Sequence, residues 1–253
     1  FLHSEWVRFR WFREFFSSVY FGRLIKNTLL ISIYSLIIGF PIPIIFALLL
    51  NEIKDGPFKR VTQTISYLPH FISVVVVVGL LFNFLSPIDG VVNVLLKSMG
   101  KDAINFMSEP GWFRTLYIGS NIWQNFGWDS IIYLAALSSV DPQLYEAAQI
   151  DGAGKFKQML HVTLPAIMPT IIILLIMNVG NIMNVGFEKI ILMYSPAIYE
   201  TADVISTYVY RRGILGSQFS FSASVGLFNS VINFALLFTV NKISNRVSEI
   251  SLW

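Results

Sequence analysis

The sequence predicts an all-α, polytopic membrane protein with five transmembrane helices, and two observations carry that prediction. The first is composition. Of 253 residues, 55% are hydrophobic and only 13% are charged, with a mean hydropathy of +0.64. Soluble domains carry about 25% charged residues, and a soluble fold of this length would lack the charge to solvate its surface. The second is patterning. Crossing a bilayer takes about 20 mostly apolar residues, and five stretches meet that length. Four of them contain no Asp, Glu, Lys or Arg. A single such residue at mid-helix costs about 2.5–3.5 kcal/mol.

In chain order, the segment before the first span reads "WVRFRWFREFFSSVYFGRL" and alternates aromatics with arginines. Phe9, Phe12, Phe16 and Val19 recur at helical spacing, with Arg8, Arg13 and Glu14 elsewhere. This pattern predicts an amphipathic helix lying in the membrane interface, in contact with lipid. The spans follow at Asn27–Asn51, Val61–Ser86, Thr115–Val140, Pro165–Phe187 and Phe219–Asn241. Pro41, Pro43, Pro69 and Pro169 fall inside them. Membrane helices tolerate proline where neighbours re-satisfy the backbone, so these are expected to be packing kinks. The connector 52–60 is short and charged; 87–114 is longer. "YETADVISTYVYRRG", within 188–218, is expected to form a short surface helix. No internal repeat, low-complexity tract or soluble domain interrupts the chain, so 1–253 is read as one transmembrane domain. The first residue is Phe, not Met, and further residues upstream are expected.

Several chemistries are excluded. With no Cys, there is no thiol nucleophile, disulfide or thiolate metal site. His3, His70 and His161 have no ligand spacing, so no metal is expected. A formal net charge of +3 gives no reason to expect a nucleic-acid partner. No nucleophile elbow or paired acid and base is present, so no catalytic residue is assigned.

The connector 141–164 carries the chemistry. Asp141-Pro142 is a helix start, the acid capping and the proline fitting the first helical position. "QLYEAAQI" continues as a short helix, "DGAG" breaks it, and "KFKQMLHVTLP" resumes it up to Pro165. Gly152 and Gly154 allow positive φ at the turn. Leu144, Ala147, Ala148 and Ile150 give the first piece an apolar face with small residues. A helix–turn–helix that docks a partner and a plain surface loop both fit these local signals.

"EAAQIDGAG", followed by Leu164-Pro165, resembles the EAA loop of permease subunits in binding-protein-dependent ABC importers. Glu146, Ala147, Ala148, Asp151, Gly152, Ala153, Leu164 and Pro165 all match the extended pattern. "TISYLPHFIS", "SIIYLAALSSVDPQLYEAAQIDGAG", "YETADVISTYVYRRG" and the closing "LW" resemble the branch that imports oligosaccharides and polysaccharide-derived sugars. The resemblance covers roughly residues 23–253. It implies the type I importer permease fold, a sixth N-terminal helix upstream, and an EAA coupling loop at 141–165. It also implies partners: a second, related permease, two ATP-binding cassette subunits holding ATP and Mg, and an extracellular sugar-binding protein. The chain itself is then a transport subunit, not an enzyme, with no cofactor of its own. "GAGKF" agrees, because it lacks the first glycine of a phosphate loop and has Phe156 in place of the required Ser or Thr.

Orientation divides the two kinds of reasoning. The resemblance implies a bacterial plasma membrane with the EAA loop and C-terminus cytoplasmic and residue 1 outside. That leaves only Lys54, Lys59, Arg60, Lys155, Lys157, Lys242 and Arg246, of 18 Lys and Arg, on the cytoplasmic side. The positive-inside rule favours the reverse.

Polar residues within spans mark candidate transport paths. In the third span these are Asn121, Trp123, Gln124, Asn125, Trp128 and Asp129. Amides and carboxylates hydrogen-bond sugar hydroxyls, and aromatic faces stack on sugar rings. In the fourth, Asn178, Asn181 and Asn184 are three apart and share one side of a helix at about 100° per residue. Asn229 and Asn233 are an i, i+4 pair in the fifth. Interhelical bonding is the alternative role for each amide. Asp129 fits either a sugar hydroxyl or cation, or a Lys or Arg of the partner permease. A proton- or sodium-coupled sugar carrier would use Asp129 and the kinked spans, but it leaves the EAA pattern unexplained.

Overall fold

A computed structural model describes residues 6–252; His3 and Trp253 lie outside them. Helices account for the regular structure: α1 (Arg10–Phe16), α2 (Phe21–Glu52), α3 (Pro57–Tyr67), α4 (Val74–Phe84), α5 (Val91–Ser98), α6 (Pro110–Ser138), α7 (Pro142–Ile150), α8 (Lys155–Gly180), α9 (Phe187–Met193), α10 (Ile205–Val209) and α11 (Phe219–Ser248). Among the described residues no strand forms.

By length and apolarity, α2, α8 and α11 can each cross a membrane. α3 and α4 reach that threshold only as a pair bent by 98°. α6 has the length, at 29 residues, but falls outside that apolar set because it carries the amides and Asp129. Prolines shape these rods. In α2 a π-helical turn at Ser35–Gly39 immediately precedes Pro41. In α8 another at Met159–Thr163 precedes Pro165. Each lies where the proline ring and its missing N–H would disturb the i−4 ladder.

Three expectations are corrected. The second span is not a kinked helix but a broken one. Pro69 sits in a 3₁₀ turn, Leu68–Phe71, and Ile72 turns extended at φ −77°, ψ 130°. Gln124 on α6 catches the freed Ile72 carbonyl at 2.8 Å, which stabilises the break. The fourth span ends at Gly180 rather than Phe187. Asn233 Oδ1 accepts the Met183 N–H at 3.1 Å, holding the non-helical stretch that follows. Finally, "YETADVISTYVYRRG" is not a surface helix. Ala202, Asp203, Val204, Ile205, Thr207 and Tyr208 are buried.

The chain divides into two compact units. One comprises 6–33, Val74–Tyr117 and Ile182–Ala235; the other comprises Tyr34–Ser73, Ile118–Asn181 and 236–252. The first has a core of Phe15, Leu24, Met183, Ile205, Tyr208, Phe221 and Val225. Here α1 contributes Phe15, edge-on to Phe21, Phe221 and Phe228. The predicted apolar stripe of α1 does not turn inward: Phe9, Phe16 and Val19 are exposed, which suits a helix lying in lipid headgroups. The second unit packs Ile44, Ala47 and Leu48 of α2 with Tyr133 and Leu137 of α6 and Ile167 of α8. Gly127 lets α6 approach α3, since a Cβ there would overlap the Ser66 carbonyl.

Candidate functional site

The connector between α6 and α8 folds as its local signals dictate. Asp141 caps α7, its side chain accepting the Gln143 N–H at 2.9 Å, and Pro142 opens the helix. The helix stops at Asp151. Gly152 takes φ +74°, and two reverse bonds close the end: Gly152 N–H to Gln149 O at 3.0 Å and Ala153 N–H to Ala148 O at 2.9 Å. This is a Schellman-type stop, with glycine at the left-handed position. Gly154 then starts α8 at φ −68°.

The turn is tied to α8 by side chains. Buried Gln158 donates to the Ala153 carbonyl at 2.7 Å, and Thr163 donates to the Gln158 carbonyl at 3.4 Å. Tyr145 on α7 meets the Thr163 hydroxyl at 3.0 Å. Leu164 packs against the Ile44–Tyr133–Ile167 core. Tyr145, Gln158 and Thr163 thus join α7 and the turn to α8. Gln158 and Thr163 fall outside the sequence pattern; Gln158 is legible only as an amide in an otherwise charged and apolar stretch.

The rest of the loop faces outward. Glu146, Ala147, Asp151, Gly152 and Pro165 are exposed, with Ala148 and Ala153 half-buried. Ile150 is 87% exposed and Phe156 68%. Two large apolar side chains thus stand largely uncovered among the described residues. Lys155 forms a 3.5 Å ion pair with Glu52, at the end of α2.

A second cluster forms on α6. Asn125 donates to Asn121, to its carbonyl at 2.9 Å and to its Oδ1 at 3.2 Å. Asn125 Oδ1 lies 2.9 Å from His70 Nδ1. The His70 ring stacks flat on Trp128 at 4.6 Å, and Phe71 meets the same indole edge-on. Asn121, Trp123, Trp128 and Asp129 are exposed, Asn125 is half-buried and Gln124 is buried. The structure thus joins Asn121, Asn125 and Trp128, and adds His70, which follows Pro69 in the stretch "TISYLPHFIS" and makes a hydrogen bond to Asn125.

The other amides separate. Only Asn178 lies within α8, bonded to the Leu174 carbonyl at 2.9 Å. Asn181 caps the helix end, its amide on the Met177 carbonyl at 3.0 Å. Asn184 lies beyond it. The expected single helical face of three asparagines is therefore absent, because α8 ends first. Asn229 Oδ1 is buried with no partner among the described residues, and Asn233 holds Met183.

Comparisons with known proteins agree with this architecture. Residues 39–249 match the family described as binding-protein-dependent transport system inner membrane component. The chain is 44% identical over 253 residues to protein LplB of Bacillus subtilis (strain 168), covering all of this chain and 80% of that protein. It is also 44% identical over 248 residues to the polygalacturonan/rhamnogalacturonan transport system permease protein YteP of the same organism, covering 98% and 77%. A chain of the bacterial alginate ABC transporter, solved in complex with an alginate pentasaccharide-bound periplasmic protein, matches with a TM-score of 0.94 at 48% identity, over 97% of this chain and 85% of that one. The chain belongs to the family of inner membrane components of binding-protein-dependent transport systems.

Proposed function

We propose that the chain is the permease subunit of an ATP-driven importer of polysaccharide-derived oligosaccharides, acting over 1–253 as one transmembrane domain. One observation supports this most: α7 and the Gly152 turn present exposed Glu146, Ala147, Asp151, Ile150 and Phe156, while side-chain bonds tie the same element to α8. ATPase subunits, holding ATP and Mg, dock there. Closure of the ATPase pair moves α7, and Tyr145, Gln158 and Thr163 pass the movement to α8. Ala147 and Ala148 permit close approach, Glu146 and Asp151 make the polar contacts, and Leu164-Pro165 begins the driven span. A second, related permease completes the translocation path, and an extracellular binding protein delivers the sugar. The similar proteins named for polygalacturonan and alginate support a carbohydrate cargo.

The EAA loop and C-terminus face the cytoplasm in this reading, and the N-terminal segment faces out. Ion pairs join segments that this orientation places on one side. Glu52 pairs with Lys155, linking two cytoplasmic connectors. Asp203 pairs with Arg23 and Arg211, and Glu14 with Arg212, linking outer ones. Three of the outer cations, Arg23, Arg211 and Arg212, are thus held in ion pairs.

Along the path, Asn121, Asn125, Trp123, Trp128, Asp129 and Asn178, with Asn181, Asn184 and Asn229, offer the sugar-binding chemistry. Gln124 and Asn233 brace the broken helices. Reconstituting the complex with its co-purifying partners tests the reading. Uptake should require ATP and ignore ion gradients; uptake on an ion gradient alone would overturn it. Asp129→Asn should lower uptake about tenfold with the complex intact, the scale of one hydrogen bond to a charged group. Loss of the assembled complex would instead make Asp129 structural.

A further inference from the structure

α1 presents three unlike sides. At about 100° per residue, Trp11 and Phe15 share one, Phe9, Phe12 and Phe16 a second, and Arg10, Arg13 and Ser17 a third. The first faces protein: Phe15 is buried, and Trp11 meets Phe221 edge-on at 6.4 Å. Glu14, between that side and the basic one, pairs with Arg212 at 2.7 Å. These contacts fix the helix about its own axis and hold the other two sides outward. Phe9 and Phe16 are 69% and 48% exposed. Arg10, Arg13 and Ser17 are exposed beside them, as is Arg8 just ahead of the helix.

The basic side lacks counter-charge. Glu14 is the only acid between residues 6 and 26, and it is committed to Arg212. Arg8, Arg10 and Arg13 form no ion pair among the described residues. Arg10 lies 4.9 Å over the Trp11 ring, which orients its guanidinium without neutralising it. A bare aromatic stripe beside a bare basic one suits the boundary of a bilayer, with rings among the acyl chains and cations at the depth of the headgroups. Chain continuity keeps α1 at that boundary: only residues 17–20 separate it from α2, which is long and apolar enough to cross a membrane. A soluble acidic protein would meet the arginines but would also have to cover Phe9, Phe16 and Val19 beside the membrane. A zwitterionic headgroup brings its own cation and leaves the three arginines unbalanced, whereas the phosphate of an anionic lipid balances them and accepts the guanidinium fork.

We propose that Arg8, Arg10 and Arg13 bind the phosphates of anionic phospholipids, so that α1 gathers such lipids around itself. The inference needs α1 at a membrane surface and nothing about cargo or coupling, so its failure leaves the importer reading untouched.

The test places a fluorophore on Ser17→Cys, within the basic stripe, in the complete complex assembled from otherwise cysteine-free subunits in phosphatidylcholine nanodiscs. Quenching is compared between doxyl-labelled phosphatidylglycerol and doxyl-labelled phosphatidylcholine at equal mole fraction. Phosphatidylglycerol should quench at the lower mole fraction, and added salt should reduce the difference, because exposed charges are screened. Arg10→Gln and Arg13→Gln should each lower the enrichment about fivefold, the effect of one basic residue beside an anionic surface. Arg10→Lys should retain it, since a phosphate also accepts a point charge; retention with Lys and loss with Gln separates lost charge from a displaced helix. Equal quenching by the two lipids, or an enrichment unchanged in both Gln variants, would overturn the proposal. So would shielding of the label from both lipids in the complete complex, which would mark a protein partner over the stripe.

Discussion

Gly152→Pro is expected to abolish ATP-driven uptake while the ATPase subunits still hydrolyse ATP. Gly152 stands at φ +74°, and proline is locked near −65°. The substitution also removes the Gly152 N–H bond to Gln149 O, 3.0 Å in the native turn, and disfavours the Asp151 backbone at φ −74°, ψ 4°, because a residue before proline is pushed to extended geometry. Together these cost about 3 kcal/mol or more, enough to unmake the turn that orients α7 against α8. Uptake should fall about a hundredfold on that scale. Gly154→Ala is the control. Gly154 sits at φ −68° with open space where a Cβ would stand, so uptake should be retained. Uptake is read in reconstituted vesicles beside phosphate release, which separates uncoupling from loss of the complex.

Asp203→Ala should be the most destabilising substitution outside the 141–165 connector. It removes the carboxylate that both Arg23 and Arg211 face and leaves these two guanidiniums without their counter-charge. Removing one partner of a buried ion pair costs about 3–5 kcal/mol, and for a chain of this size each kcal/mol moves Tm by about 2–4 °C. A fall of about 6–20 °C in detergent is therefore expected, read by the thermal unfolding of the purified complex. Asp55→Asn provides the contrast. The Lys59 hydrogen bond holds the Asp55 carboxyl below its ordinary value, but the pair lies on the surface and should leave Tm unchanged.

Legibility in the sequence follows the range of the forces involved. The helix and turn of the 141–165 connector are almost wholly legible because their signals are local: Asp141 caps, Pro142 starts and Gly152 turns within a dozen residues. Spans are legible where apolarity alone decides, as in α2, α8 and α11. The break at Ile72 is not, because Pro69 only permits it and Gln124, 52 positions away, stabilises it. α8 stops short because Asn233 waits 50 positions on for the Met183 N–H. Burial of Asp203 is hidden for the same reason: Arg23 lies 180 positions upstream. A carboxylate in "TADVIST" looks like surface until its counter-ions are in place. The positive-inside count treats Arg23, Arg211 and Arg212 as free charges, whereas the fold pairs each of them with a carboxylate.

Whether α7 meets the ATPase from the cytoplasm is directly measurable, because the sequence contains no Cys. Ala147→Cys and Met99→Cys each introduce one thiol, on α7 and on the connector after α5. A membrane-impermeant maleimide added to intact cells should label Met99→Cys and spare Ala147→Cys. A photoactivatable maleimide on Ala147→Cys in the purified complex should capture the ATPase subunit. Labelling of Ala147→Cys from outside, or its capture of anything but the ATPase, would contradict the account.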